Sequence, residues 1–290
     1  MPTIAQWIEG ARPRTLPNAI APVLVGTGAA AAVDSMVWWL AALALIVALS
    51  LIVGVNYAND YSDGVRGTDR VRVGPLRLVG SGLAKPEAVR SAAMSALVVA
   101  AVSGLALIVA SRTWWLFAPG ALCLLGAWFY TGGRRPYGYR ALGELAVFTF
   151  FGPVAVLGTM YVQGGEINGI AIGSSVAVGC FSAAVLVANN LRDIPTDTST
   201  GKRTLAVLLG DKDSRRLYLA LLAVPFLLTL LLGVKSTPTL VGLLAIPLAI
   251  PPVRRILRGY TGRRLIPVLR DTAMTMLAWS VATALALGLG

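Results

Sequence analysis

The sequence predicts an all-α, polytopic membrane protein with nine transmembrane helices, and three observations lead there. The first is composition: 56% of the 290 residues are hydrophobic and 13% are charged, against roughly 45–50% and about 25% in soluble globular domains. The second is the spacing of charge. Nine stretches contain no Asp, Glu, Lys or Arg, namely 15–33, 35–59, 91–111, 113–133, 145–165, 167–191, 217–234, 236–253 and 272–290. Each is close to the roughly 20 residues that a helix needs to cross about 30 Å of hydrocarbon. The third is pattern. Only helices or closed barrels satisfy their backbones in lipid, and barrel strands alternate in polarity. Runs such as Leu40-Ala-Ala-Leu-Ala-Leu-Ile-Val-Ala-Leu49 do not alternate.

Taken in order, residues 1–14 lack the short apolar core and small-residue cleavage site of a signal peptide, and predict an interfacial helix with Trp7 at headgroup depth. The first run carries Pro17 and Pro22, which blur its ends. The second ends in Asn56-Tyr57-Ala58-Asn59-Asp60-Tyr61-Ser62-Asp63. Arg112 alone separates the third run from the fourth, which ends in Arg134-Arg135. Glu166 separates the fifth from the sixth, which ends in Asn189-Asn190-Leu191-Arg192-Asp193-Ile194-Pro195-Thr196-Asp197. Lys235 separates the seventh from the eighth, which holds Pro238, Pro247, Pro251 and Pro252 and ends in Arg254-Arg255. The ninth runs to the C-terminus. The chain reads as one domain, 1–290. Asn-x-x-x-Asp after the second and sixth runs, and paired arginines after the fourth and eighth, suggest a repeat of helices 1–4 in 5–8 with helix 9 appended.

Basic residues set the orientation. The N-terminus and the connections after runs 2, 4, 6 and 8 hold 23 of the 25 Lys and Arg, and the other side holds Arg112 and Lys235. The positive-inside rule then places the N-terminus in the cytoplasm and the C-terminus outside, in a multi-pass protein of a bacterial plasma membrane. Topology and attraction to anionic lipid account for the net charge of +12 without any nucleic acid. Histidine is absent, which excludes His-based acid–base and nucleophile chemistry and histidine-ligated metals. Cys123 and Cys180 both sit in apolar runs, so no disulfide framework is expected.

The two Asn-x-x-x-Asp segments, each with a second Asp three or four residues on, place Asn56, Asp60 and Asp63, and Asn189, Asp193 and Asp197, on single helical faces. An Asp pair at a membrane helix end is ordinarily solvated interface. Two matching sets among thirteen acids, with Asn56 and Asn189 a turn inside apolar runs, argue for function. Clustered carboxylates repel unless a cation lies between them, and carboxylate and amide oxygens suit Mg²⁺ bridging to phosphate. Nearby Arg66, Arg70, Arg134, Lys202 and Arg203 offer counter-charge to the remaining phosphate oxygens. Together these residues describe a site for a magnesium-held diphosphate at the membrane face. The loop Tyr130 to Arg140 is dense in Gly, Pro, Tyr and Arg; composition alone reads it as an aromatic belt with loop punctuation. The segment Gly74 to Gly80 reads only as a turn.

At Arg12-Pro13-Arg14-Thr15-Leu16-Pro17, Asn56 to Asp69, Gly74-Pro75-Leu76-Arg77, Tyr130 to Tyr139 and Asn189 to Thr204 the sequence resembles the UbiA superfamily of intramembrane aromatic prenyltransferases, and most closely its naphthoate-prenylating branch. It departs from the broad superfamily pattern at position 67, a glycine where a third acid is usual; Asp69 stands two residues later, as in the naphthoate branch. The resemblance implies a barrel-like bundle whose cavity opens laterally to lipid beneath cytoplasmic cap loops. It implies Mg²⁺-dependent transfer of a polyprenyl chain from polyprenyl diphosphate to 1,4-dihydroxy-2-naphthoate, with loss of CO₂, giving demethylmenaquinol for menaquinone synthesis. On this reading Asp60, Asp63, Asp193 and Asp197, assisted by Asn56 and Asn189, hold the metal. Tyr57, Tyr61, Trp128 or Tyr130 shield an allylic cation, Tyr130 and Tyr139 being able to present ring faces to it, and Arg12 or Arg14 meets the acceptor's carboxylate. The rival readings are the same chemistry on hydroxybenzoate, homogentisate, chlorophyllide, haem or a phosphoribosyl donor, and a secondary transporter. A transporter places its polar residues near the midplane, whereas here they lie at helix ends on one side.

Overall fold

The computed structural model describes residues 2–68 and 76–289, and all regular structure among them is helical. Asp69, Arg70, Gly74 and Pro75 fall outside the described residues. A short helix α1 (Ile4–Gly10) is closed at its start by a Thr3/Gln6 capping box. It is followed by α2 (Pro17–Ala31), α3 (Trp38–Arg66), α4 (Pro86–Ser111) and α5 (Phe117–Phe129). Then come α6 (Gly143–Thr149) and α7 (Ala155–Gly164), joined by a π-helical turn, Phe150–Val154. The rest is α8 (Gly169–Ser199), α9 (Leu205–Gly233), a 3₁₀ segment Thr237–Ala245 leading into α10 (Ile246–Leu257), and α11 (Ile266–Leu289).

Each charge-free run corresponds to one of these helical segments. Seven, counting joined pieces as one, are long and apolar enough to span a bilayer; the segment Trp114–Phe129 and the 15-residue α2 are shorter. Proline explains several interruptions. Pro17 opens α2, where a missing N–H costs nothing, and Pro238 and Pro247 stand at the starts of the 3₁₀ segment and of α10. Pro153 sits inside the π-turn, where the ring removes a donor and loosens the helical ladder.

The helix α8 forms the centre of the bundle, with 72% of its apolar window buried, against 22% in α3, α4 and α9. Its Ala177, Val178, Phe181, Ala184, Val187, Ala188 and Leu191 pack with Val25 of α2, Tyr218 and Leu222 of α9, and Met276 and Trp279 of α11 in one core. A second cluster joins Tyr57 and Ala58 of α3, Val89 and Ala93 of α4, and Leu78 from the segment between them. Outward-facing Val98, Val102, Leu105, Leu227, Leu231, Leu244 and Leu285 make the lipid surface, and Trp38, Trp39, Trp114 and Trp115 form an exposed aromatic belt near one end.

Both aspartate motifs ride on helices that extend past their apolar runs, α3 to Arg66 and α8 to Ser199. Gly67 ends α3 in the left-handed region at φ 75°. That backbone conformation is a physical reason for glycine rather than an acid at position 67. The π-turn packs backbone to backbone on α8: a methyl group on Gly152 would come within 2.6 Å of the Ser175 carbonyl and 2.8 Å of Gly179 Cα. Gly152→Ala should therefore cost about 1–3 kcal/mol by overpacking. Thermal unfolding in detergent measures it, and a melting temperature equal to the parent's would show that the contact yields freely.

Candidate active site

The C-terminal ends of α3 and α8 face a cavity of about 380 Å³ between α2, α3, α4, α5, α6, α7 and α8. At its mouth stand Arg12, Asn56, Asn59, Asp63, Arg77, Thr131, Asn189, Asn190 and Lys202. Its walls below are apolar, with Leu51, Leu107, Phe150, Phe151 and Leu186, and reach Ala44 and Leu116. Along α3, Ala44 and Asp63 are 19 residues apart, about 28 Å of helix. The polar mouth and the greasy floor thus lie nearly a bilayer's depth apart.

The four aspartates are only 1–7% exposed, and each has its negative charge answered. Asp60 accepts the backbone N–H groups of Leu78 (2.7 Å) and Val79 (3.1 Å), so the segment after residue 75 folds over its carboxylate. Asp63 accepts the Tyr139 hydroxyl and an Arg77 guanidinium N–H at 3.5 Å. Asp193 is gripped in bidentate fashion by Arg192 at 2.7 Å on both oxygens, and Arg192 also donates to Asn189 Oδ1 at 2.8 Å. Asp197 lies 3.8 Å from Lys202 Nζ and accepts Thr204 Oγ1 at 3.4 Å.

Tyr139 connects the two motifs. Its hydroxyl donates to Asp63 of α3, and its ring faces Lys202 (4.9 Å), the partner of Asp197 on α8, and Arg66 (5.4 Å). Burial first, then the Asp63 charge, pushes the Tyr139 phenol above its ordinary pKa, so it stays a donor across the physiological range. Arg66 itself reaches the carbonyls of Thr131 and Gly133, and Thr131 Oγ1 donates to Asn59 at 2.7 Å. The Tyr130–Arg140 loop is thereby pinned across the mouth. Among the described residues no three carboxylate or thiol side chains are grouped as a ready-made metal cage. Of the four aspartates only Asp63 is among the residues lining the cavity, beside the amide side chains of Asn56, Asn59, Asn189 and Asn190, while Asp60, Asp193 and Asp197 stand behind it. Carboxylate and amide oxygens are the donors that suit a hard divalent cation such as Mg²⁺.

The remaining sequence candidates divide. Arg12 lines the cavity from a left-handed backbone conformation (φ 57°), a strained state for a non-glycine residue. It is held there because Asn56 Nδ2 donates to Ala11 O and Thr15 Oγ1, both at 2.9 Å. Tyr130 also lines the cavity, edge-on to Tyr137 with centroids 5.5 Å apart. Arg14, Arg134 and Arg203 are exposed and stand outside the cavity lining. Tyr57 turns to the N-terminal helix, donating to Trp7 O at 2.7 Å, and Tyr61 packs in the cluster around Leu78; neither lines the cavity. Arg70 is outside the described residues.

Sequence reasoning missed Arg77, Arg192, Glu144 and Asn190. A buried Arg in the apolar segment Leu76-Arg77-Leu78-Val79 and an Arg beside an Asp inside a helical run were the available signals, since uncompensated charge is costly there. Asp60→Ala leaves the Leu78 and Val79 amides without acceptors, at a cost of about 1–3 kcal/mol. Hydrogen exchange at those two amides should quicken by tenfold or more, and unchanged protection would contradict the bonding described.

Comparison with known proteins gives the following. The profile of the UbiA prenyltransferase family matches residues 19–287. The 1,4-dihydroxy-2-naphthoate octaprenyltransferase of Mycobacterium tuberculosis is 58% identical over 290 residues, covering 100% of this chain and 99% of that protein. The protein of the same name from Escherichia coli is 38% identical over 92% of this chain and 89% of its own length. Among solved structures, a UbiA homologue from Archaeoglobus fulgidus bound to GPP and Mg²⁺ aligns with TM-score 0.69 at 15% identity, over 98% of this chain and 100% of that one. The apo UbiA homologue from Aeropyrum pernix aligns with TM-score 0.71 at 18% identity, over 91% and 96%. At such identity these two show a shared fold.

Proposed function

This chain belongs to the UbiA prenyltransferase family, and on that premise we propose that it transfers a polyprenyl group from polyprenyl diphosphate to 1,4-dihydroxy-2-naphthoate. The new bond joins the allylic carbon to the ring carbon bearing the carboxylate; pyrophosphate leaves, CO₂ is lost, and the product is demethylmenaquinol. The single observation that carries this reading is the cavity, with the buried Asp63, four asparagine amides and the cations Arg12, Arg77 and Lys202 at its polar end and an apolar floor. It matches a substrate with a charged head and a hydrocarbon tail. Full-length identity of 58% to a protein of that name supports the choice of acceptor.

Asp60, Asp63, Asp193 and Asp197, with Asn56 and Asn189 close by, are the residues to hold Mg²⁺. Bound there, the metal supplies positive charge to the departing diphosphate. Arg77 and Lys202 line the mouth and meet phosphate oxygens as fixed cations, so charge developing on the leaving group is met without reorganisation. Tyr130 presents a half-buried aromatic ring to the same space, and the apolar wall keeps water from the allylic cation. Arg12, held by the Asn56-tied turn, answers the acceptor's carboxylate. No protein nucleophile is required, which suits a chain without histidine.

The orientation follows from the basic loops: the mouth faces the cytoplasm, where both diphosphate and acceptor are met, and the C-terminus lies outside. Purified protein with a polyprenyl diphosphate, 1,4-dihydroxy-2-naphthoate and Mg²⁺ should yield the prenylated, decarboxylated product by mass spectrometry, and chelation should stop it. Asp63→Asn and Asp193→Asn should each lower turnover by about a hundredfold or more, as expected when transition-state charge stabilisation is removed, while the protein stays inserted and folded. Full activity in both variants would remove the metal assignment.

A further inference from the structure

The mechanism above leaves a buried acid unused. Glu144 opens α6 at 6% exposure, and its Oε1 accepts Asn190 Nδ2 of α8 at 2.8 Å. The second oxygen, Oε2, is buried and takes no hydrogen bond. The contact is enforced by packing, since Gly179 of α8 sits so close to α6 that a methyl group there would lie 2.8 Å from the Phe148 carbonyl. Asn190 itself is 5% exposed and lines the cavity.

An amide side chain has one donor end and one acceptor end, and which end faces a ligand depends on what holds the other. Glu144 Oε1 accepts from Asn190 Nδ2, so the NH₂ of Asn190 is held toward Glu144. The carbonyl Oδ1, which takes no hydrogen bond from the described residues, is left for the cavity. Asn190 lies three and seven residues before Asp193 and Asp197 on α8, about 5 and 10 Å deeper along the helix. This depth is the inner edge of the polar mouth, where the cavity lining also includes the apolar Leu186, Val147 and Phe150. An inward-facing oxygen where the polar mouth gives way to the apolar wall selects a ligand that carries a hydroxyl on a flat apolar body.

We propose that Asn190 Oδ1, oriented by Glu144, accepts a hydrogen bond from a ring hydroxyl of the aromatic acceptor and so determines acceptor specificity. Asn190 touches the acceptor; Glu144 is a positioning residue acting through it. The inference rests on the prenyl-transfer reading above and adds the contact by which that site tells a hydroxylated ring from a bare one. A buried polar group built for a hydroxyl rejects the analogue lacking it, because its own partner is then missing.

The test pairs acceptor analogues with variants of the full-length protein. Wild-type kcat/KM should fall by roughly tenfold or more when 1,4-dihydroxy-2-naphthoate is replaced by the analogue lacking one of its hydroxyls. Asn190→Leu, close in size, should raise the acceptor KM by about tenfold and bring the two acceptors to within about twofold of each other. KM for polyprenyl diphosphate should stay within about twofold. Glu144→Leu should act in the same direction by letting the amide turn. Glu144→Gln, which still offers an oxygen to Nδ2, should restore most of that loss. Hydroxyl discrimination that persists in both Asn190→Leu and Glu144→Leu overturns the proposal, as does an equal rise of KM for both substrates. If Asn190→Leu does not fold, the Glu144 pair decides alone: equal defects in its two variants remove the orienting role. Absence of any transfer by the wild-type protein is a different failure, that of the prenyl-transfer reading itself.

Discussion

A carboxylate held near the edge of a bilayer needs a donor or a cation within hydrogen-bond reach, because the surroundings supply little of either. Four such carboxylates stand at one end of this bundle, and much of the local architecture is the set of partners they recruit. Two backbone amides fold the segment after residue 75 onto Asp60. Arg77 comes in from that same segment to Asp63, and Tyr139 arrives from the loop after α5. Arg192 takes Asp193 on its own helix, and Lys202 turns back to Asp197 from just beyond it. Segments that would otherwise hang in the headgroup region are thereby drawn into a cap.

The same compensation ties the two halves of the chain together at their polar ends. The route from α3 to α8 passes through Asp63, the hydroxyl and ring of Tyr139, Lys202 and Asp197. Lys202 in this route is both a structural link and a cation at the cavity that can meet a diphosphate, and Asp63 lines the same cavity. Asn56 works similarly at the N-terminal side. Its amide holds the turn that keeps Arg12 in a left-handed conformation at the cavity, which spends some backbone strain to fix a guanidinium where an anion is expected.

Below the mouth the physics changes over a few turns of helix. The central helix α8 is buried along most of its length and carries polar side chains at successive depths: Asp197, Asp193, then Asn190 and Asn189, then only apolar and small residues. The diphosphate head of one substrate, the aromatic ring of the other and the hydrocarbon tail of the first each meet matching surroundings at a different level. Helix-to-helix approach through small residues such as Gly152 and Gly179 is what allows α6 to bring Glu144 against that ladder.

The amino-acid sequence by itself determined the helical membrane class, all nine apolar segments and the two aspartate motifs, because charge spacing and helical periodicity are local properties. The family was legible for the same reason, its motifs being short and contiguous. What only the tertiary structure decided is which partner each charge takes. Nothing in the neighbouring residues says that Asp60 is capped by amides eighteen and nineteen positions on, that Arg12 reaches the cavity while Arg14 stays outside, or that Tyr139 rather than Tyr57 or Tyr61 meets the acids. The direction of an asparagine amide is likewise fixed by a carboxylate forty-six residues away. Such pairings depend on how helices cross and how loops fold back, and those are set by packing among segments distant in the chain.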